Sequence, residues 1–183
     1  KKCPGKPLDA FNEGLVKRKA IYVDYPQAVP LKYAIDPDFC VKLKKDKCGT
    51  CAKVCPTGAI NHDMKTEYLD LNVGALILAP GFAPFSPKGI DYYGYDTIPD
   101  VVTSLEYERM LSASGPSMGH LEKMSDGREP EKVAWIQCVG SRNHNCADNG
   151  YCSSVCCMYA IKQAVMTQAH MSEGQGEQTV FYM

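Results

Sequence analysis

The chain is short of several things that would settle its class at once. It has one tryptophan and five phenylalanines in 183 residues, and its 20 Lys and Arg are nearly balanced by 21 Asp and Glu. A formal net charge of −1 offers neither a basic surface for nucleic acid nor a polybasic membrane anchor. The most apolar run, residues 73–80, is far shorter than the ~20 residues a membrane-spanning helix needs. No charged-then-apolar leader pattern marks the start. A G-x-G-x-x-G phosphate loop is missing as well.

Cysteine is what the chain does have, ten of them. In a short secreted chain that number would be read as a disulfide framework. Here the length, the missing export pattern and the metal-ligand spacing of the thiols point instead to a reduced, cytoplasmic protein. With 45% hydrophobic residues the chain can bury one core or two small ones. Cys3-Pro4-Gly5 reads as the end of a cysteine run that begins upstream, and residues 179–183 as a strand that stops without a neighbour. A segment of a larger polypeptide is the expectation.

Residues 133–137 (Val-Ala-Trp-Ile-Gln) read as a strand ending at Cys138, followed by an Asn-rich loop and a helix predicted over about 152–170. Strand, loop and helix are how a nucleotide-binding fold presents its phosphate loop, but thiols stand where the glycines would be. A helix from 152 would put Cys152 and Cys156 on one face with Cys157 beside them, while Cys138 arrives from the strand. Four such thiols suit an iron–sulfur cluster, with the helix N-terminus favouring its negative charge. A buried Cys-rich helix with inert thiols is the plain alternative. Cys146 lies in the loop as an extra thiol, expected to be free, and Gly140 is expected to allow close backbone approach. A polar turn over 172–178 and a strand complete a parallel unit.

The second constellation is Cys40-x7-Cys48-x2-Cys51-x3-Cys55-Pro56. Cys48, Cys51 and Cys55-Pro56 fit the last three members of the bacterial ferredoxin run, and Cys40 replaces a first member that would fall at Lys45. The cysteine before proline serves the other cluster of a two-cluster module. Cys3, Cys40, Cys48 and Cys51 are therefore assigned to one [4Fe-4S] cluster, and Cys55 to another whose remaining ligands lie outside the chain. A four-cysteine zinc knuckle remains the alternative, because C-x2-C also suits zinc. His62, His120 and His170 lack partners at ligand spacing and read as surface residues.

Elsewhere, residues 9–19 are predicted as a short helix, and 66–71 and 73–79 as strands, the latter ending at Pro80-Gly81. Thr103-Ser-Leu-Glu106 is a capping box opening a helix through Leu111, with Tyr107, Met110 and Leu111 as its buried stripe.

Cys-Val-Gly-Ser-Arg at 138–142 and Tyr-Cys-Ser-Ser-Val-Cys-Cys-Met-Tyr-Ala-Ile-Lys at 151–162 closely resemble HdrA, the flavin and iron–sulfur subunit of heterodisulfide reductases. The resemblance implies an α/β fold: part of a thioredoxin-reductase-like, Rossmann-type FAD domain (67–183) carrying an inserted ferredoxin-like two-cluster module (1–66). Cys138, Cys152, Cys156 and Cys157 would then hold one [4Fe-4S] cluster. Ala79-Pro80-Gly81 resembles the Ala-Thr-Gly turn at which such flavoproteins approach FAD, and Glu108 and Lys162 match residues near the flavin. The implied function is electron transfer between FAD and the clusters in a soluble oxidoreductase complex, of a kind that often bifurcates electrons at the flavin. The segment by itself would be inactive. Implied partners are the other subunits, with a hydrogenase, a formate dehydrogenase or ferredoxin as electron partner. Two rivals stand beside this reading: a zinc-stabilised, non-catalytic interaction module, and a redox disulfide at Cys156 and Cys157, which adjacency strains.

Overall fold

The structure, a computed structural model, describes residues 2–145, 147–171 and 176–183. The expectations for Cys146 and for most of the 172–178 turn lie outside the described residues. The fold is mixed α/β, with two separate two-stranded sheets, and the chain divides into two compact units, Lys1–Ala83 and Pro84–Met183.

In the first unit β1 (Ile21–Tyr22) runs antiparallel to β2 (Ala34–Ile35). The intervening Pro26 and Pro30 have no N–H for a ladder, which keeps the pair short. Residues 9–19 form a turn rather than the predicted helix. Leu8 and Lys17 bridge, and the Asp9 N–H donates to the Val16 carbonyl at 2.8 Å. The Asp9 carboxylate accepts from the Phe11 N–H and the Asn12 side chain, the local bonding by which aspartate competes with a helix. Glu13 (φ +53°) and Gly14 (φ +78°) then turn left-handed.

Ala20 is fully buried, and Gly5 passes so close that a Cβ on it would lie 2.5 Å from the Phe39 carbonyl oxygen. The stretch carrying Cys3 is thereby held against the turn into Cys40. Two short helices follow, α1 (Val41–Lys45) and α2 (Thr50–Val54). The strands expected over 66–71 and 73–79 are not formed: both stretches are irregular and exposed along their whole length. A strand needs a ladder partner, and among the described residues none pairs with them.

The second unit opens through a 3₁₀ turn, Asp91–Tyr93, into α3 (Ser104–Leu111). Its capping box forms as expected: the Thr103 hydroxyl accepts from the Glu106 N–H while the Glu106 carboxylate accepts from the Thr103 N–H. Tyr107, Met110 and Leu111 are buried, the stripe that the spacing predicts. β3 (Lys132–Ile136) and β4 (Glu177–Phe181) pair in parallel, in register from Lys132 opposite Glu177 to Ile136 opposite Phe181. They are joined through α4 (Cys156–His170), which begins four residues after the expected Cys152.

The core lies where α3 and α4 meet β3. The Trp135 ring stands edge-on to Tyr107 at 5.9 Å between centroids. Gln163 and Thr167 are almost completely buried, yet satisfied. The Gln163 side chain accepts from the Trp135 indole N–H (3.3 Å) and donates to the Ser104 carbonyl (2.8 Å). The Tyr107 and Thr167 hydroxyls lie 2.6 Å apart.

Candidate metal centres

Cys138 follows the end of β3, where the ladder closes with the Gln137 N–H on the Phe181 carbonyl. It is buried and takes a left-handed φ of +62°, turning its chain sharply. At Gly140 (φ +75°) a Cβ would lie 2.0 Å from the Phe85 ring. The close approach expected there is made to Phe85. The Asn-rich loop closes through reciprocal bonds between Asn143 and Asn149, and the Arg142 N–H donates to the Tyr151 carbonyl. These bonds return the chain beside Cys138 just before Cys152.

Cys152 does not share a helix face with Cys156. It sits in the turn ahead of α4, where its sulfur accepts from the Ser154 N–H at 3.4 Å and Ser154 takes φ +61°. Two consecutive serines favour turn and cap geometry over helix, which delays the helix start. Cys138 and Cys156 are buried, Cys152 and Cys157 exposed.

Cys156 and Cys157 act on each other's charge. Burial pushes the Cys156 thiol up, but donors from the Ser153 hydroxyl and the main-chain N–H groups of Cys138 and Cys157 outweigh it and leave Cys156 below the ordinary range. Cys157 is pushed up, first by the negative charge on Cys156, and also by Cys138 and Cys152. The Arg142 guanidinium adds a fixed positive charge, with Nη1 4.0 Å from the Cys138 sulfur and 2.8 Å from the Met183 carbonyl oxygen.

In the first unit Cys40 caps α1, Cys48 precedes α2, Cys51 lies on it and Cys55 ends it. The Cys48 thiol is lowered by donors from Thr50, main-chain N–H first, and from Gly49. The Cys55 thiol is lowered by the Thr57 hydroxyl, then by the N–H groups of Ala59, Thr57 and Gly58. A small hydroxyl residue two places after the thiol recurs at Cys48-x-Thr50, Cys55-x-Thr57 and Cys152-x-Ser154. Each time the chain wraps main-chain donors around a sulfur.

Lys162 and Glu108, expected near a flavin, are ion-paired with each other across α4 and α3. Gln163 also donates to the second Glu108 oxygen, at 3.3 Å. Ala79, Pro80 and Gly81 are exposed and meet none of the described ring or charge contacts. Pro80 has no N–H to offer a phosphate.

Among the described residues, no three His, Cys, Asp or Glu side chains converge on one ion. The lowered Cys48, Cys55 and Cys156 thiols, with main-chain N–H donors around them, are ligands of the kind an iron–sulfur cluster takes.

The 4Fe-4S binding domain family model matches residues 46–61. The chain is 45% identical over 168 residues to HdrA, the iron-sulfur subunit of the CoB–CoM heterodisulfide reductase, of Methanocaldococcus jannaschii, covering 92% of this chain and 25% of that protein. It is 42% identical over 181 residues to the corresponding subunit of the H(2):CoB-CoM heterodisulfide,ferredoxin reductase of Methanothermobacter marburgensis, covering 99% and 26%. The chain is homologous to the HdrA family of heterodisulfide reductase subunits. It spans about a quarter of the length of these relatives. No helix among the described residues is long and apolar enough to cross a membrane.

Sequence reasoning missed three residues at these sites. His62, taken for a surface residue, is half-buried with Nε2 3.5 Å from the Cys51 sulfur. Arg142 beside Cys138 and Gln163 beneath Glu108 are the other two. Their contacts depend on loop paths and a helix–helix packing that no motif spacing encodes.

Proposed function

We propose that this chain is the iron–sulfur relay portion of an oxidoreductase subunit of heterodisulfide-reductase type, passing electrons between an FAD and [4Fe-4S] clusters in the cytoplasm. The observation that carries this is the placing of Cys138 just past the end of β3 and of Cys152, Cys156 and Cys157 at the start of α4, at one end of a parallel strand–helix–strand unit. These four thiols hold one cluster. Cys3, Cys40, Cys48 and Cys51 hold a second, and Cys55 contributes to a third, in keeping with the family match over 46–61.

Residues 1–66 are read as part of a ferredoxin-like module inserted into a thioredoxin-reductase-like flavin domain, to which 67–183 belong. That boundary concerns insertion, and the compact-unit division after Ala83 concerns packing. The FAD reading rests on the resemblance at Ala79, Pro80 and Gly81 and on the Lys162–Glu108 pair. Lys162 follows Cys157 by five residues, about 7–8 Å along a helix axis.

When bound, the clusters supply one-electron transfer and the flavin couples one- to two-electron chemistry. The chain's own residues then do the rest. The N–H groups of Cys138, Cys157, Ser154, Thr50 and Ala59 hold the sulfurs and stabilise their negative charge. Arg142 adds charge at Cys138, and burial of Cys138 and Cys156 keeps water from two of the sulfurs. Lys162, held by its ion pair with Glu108, would offer a cation to a reduced, negatively charged flavin.

Three of the relatives are subunits of heterodisulfide,ferredoxin reductases by name, and one of those names adds H(2)/formate. On that ground the partners proposed here are the other subunits of such a complex, and a hydrogenase, a formate dehydrogenase or ferredoxin as electron partner. The test is anaerobic iron and sulfide analysis of the full-length protein with visible spectroscopy. Broad visible absorbance with iron and sulfide in equal amounts supports the relay, and a colourless zinc protein ends it.

A further inference from the structure

We propose that His62 is a hydrogen-bond donor to the Cys51 sulfur and raises the reduction potential of the cluster that Cys51 helps to hold. The proposal rests on the reading of Cys48, Cys51 and Cys55 as cluster ligands, and His62 falls just outside the matched residues 46–61.

The local chain is built to deliver this ring. After α2 the Gly58 N–H closes a turn on the Cys55 carbonyl, and Gly58 takes φ +62°, so the chain doubles back. The Asn61 side chain accepts from the Asp63 N–H at 2.8 Å, an Asx turn that fixes the backbone on either side of His62. The ring is then half-buried with Nε2 3.5 Å from the Cys51 sulfur. Cys48 and Cys55 are served by main-chain N–H groups and threonine hydroxyls. At Cys51 the sulfur's hydrogen-bond partner is an imidazole.

A neutral imidazole protonated on Nε2 donates to a thiolate sulfur. Reduction adds negative charge that spreads onto the ligand sulfurs, so a donor there stabilises the reduced state more than the oxidised one. An imidazole merely resting on the sulfur would leave the potential alone.

The experiment is an EPR-monitored redox titration at one fixed pH on the full-length, anaerobically purified protein, comparing wild type with His62→Leu and His62→Gln. Iron content stays at the wild-type level in both variants. In His62→Leu the midpoint of one cluster falls by about tenfold in the reduction equilibrium, or about 59 mV for one electron. His62→Gln, whose amide still offers an N–H, recovers part of the shift. In wild type labelled with ¹⁵N-histidine, the reduced cluster carries a weak ¹⁵N coupling of the size a hydrogen bond gives.

An unmoved midpoint in His62→Leu at full iron overturns the proposal. So does loss of iron in both variants with a strong ¹⁵N coupling, which would make His62 a ligand. Should His62→Leu fold poorly, His62→Gln and the coupling decide. Cys51→Ala separates the two levels. Full iron in that variant removes the ligand reading and the proposal together, whereas lost iron beside an unmoved His62→Leu midpoint removes the proposal alone.

Discussion

Cys138, just past the end of β3, and Cys156, the first residue of α4, are both buried, and the main-chain N–H of Cys138 helps to hold the Cys156 thiol below its ordinary range. The strand end and the helix start thus share a buried thiol environment.

If that junction is a cluster seat, single Cys→Ala changes at positions 138, 152 and 156 in the full-length protein each remove about four iron atoms and the matching sulfide. Cys146→Ala leaves the iron unchanged. Iron and sulfide assays on anaerobically purified variants read this directly, and retention of all iron in both Cys138→Ala and Cys152→Ala rules the seat out.

The Lys162–Glu108 pair is part-exposed, with side-chain exposures of 57% and 35%, so its contribution to stability is below about 1 kcal/mol. Glu108→Gln is therefore expected to leave the urea midpoint nearly unchanged while altering the flavin absorbance of the loaded protein. Unaltered flavin bands in both Glu108→Gln and Lys162→Met would separate the pair from the flavin.

Tyr107 gives a pH dependence with a definite sign. Burial raises its phenol above the ordinary 10.0, and the Thr167 hydroxyl only partly offsets that. A raised folded value means that the contribution is fully present below the unfolded value and is lost as pH climbs through the folded one. Chemical denaturation from pH 8 to 11 should show wild type losing more stability than Tyr107→Phe above about pH 10. At neutral pH the variant costs about 1 kcal/mol, because Thr167 still bonds the Gln163 carbonyl at 2.8 Å.

Gly140→Ala is expected to destabilise the second unit by more than about 1 kcal/mol, since it combines a left-handed φ with a clash against Phe85. Adding Phe85→Ala relieves the clash but not the backbone strain, so thermal melts should show partial recovery. No recovery would mean that strain alone matters.

Local signals were the readable ones. Thr103 and Glu106 announced α3, the 107/110/111 spacing announced its buried face, the short apolar run at 133–137 announced β3, and the strand–loop–helix–strand order announced its parallel partner. The thiol spacing at Cys48, Cys51 and Cys55 marked the stretch that the 4Fe-4S binding domain model matches, because such a run is written within a few residues. What went unread needed either competition or distance. Asp9 and Gly14 turned a predicted helix into a loop, and Ser153-Ser154 moved the start of α4 past Cys152. His62 reached Cys51 only because Gly58 reversed the chain.

Residues 73–79 hold seven uncharged, mostly branched apolar positions with every one exposed. A window of that composition is what cross-β stacking recruits. At high concentration, self-association is expected to begin at this stretch. Pro80, which cannot extend a ladder, is the gatekeeper that limits how far such stacking spreads.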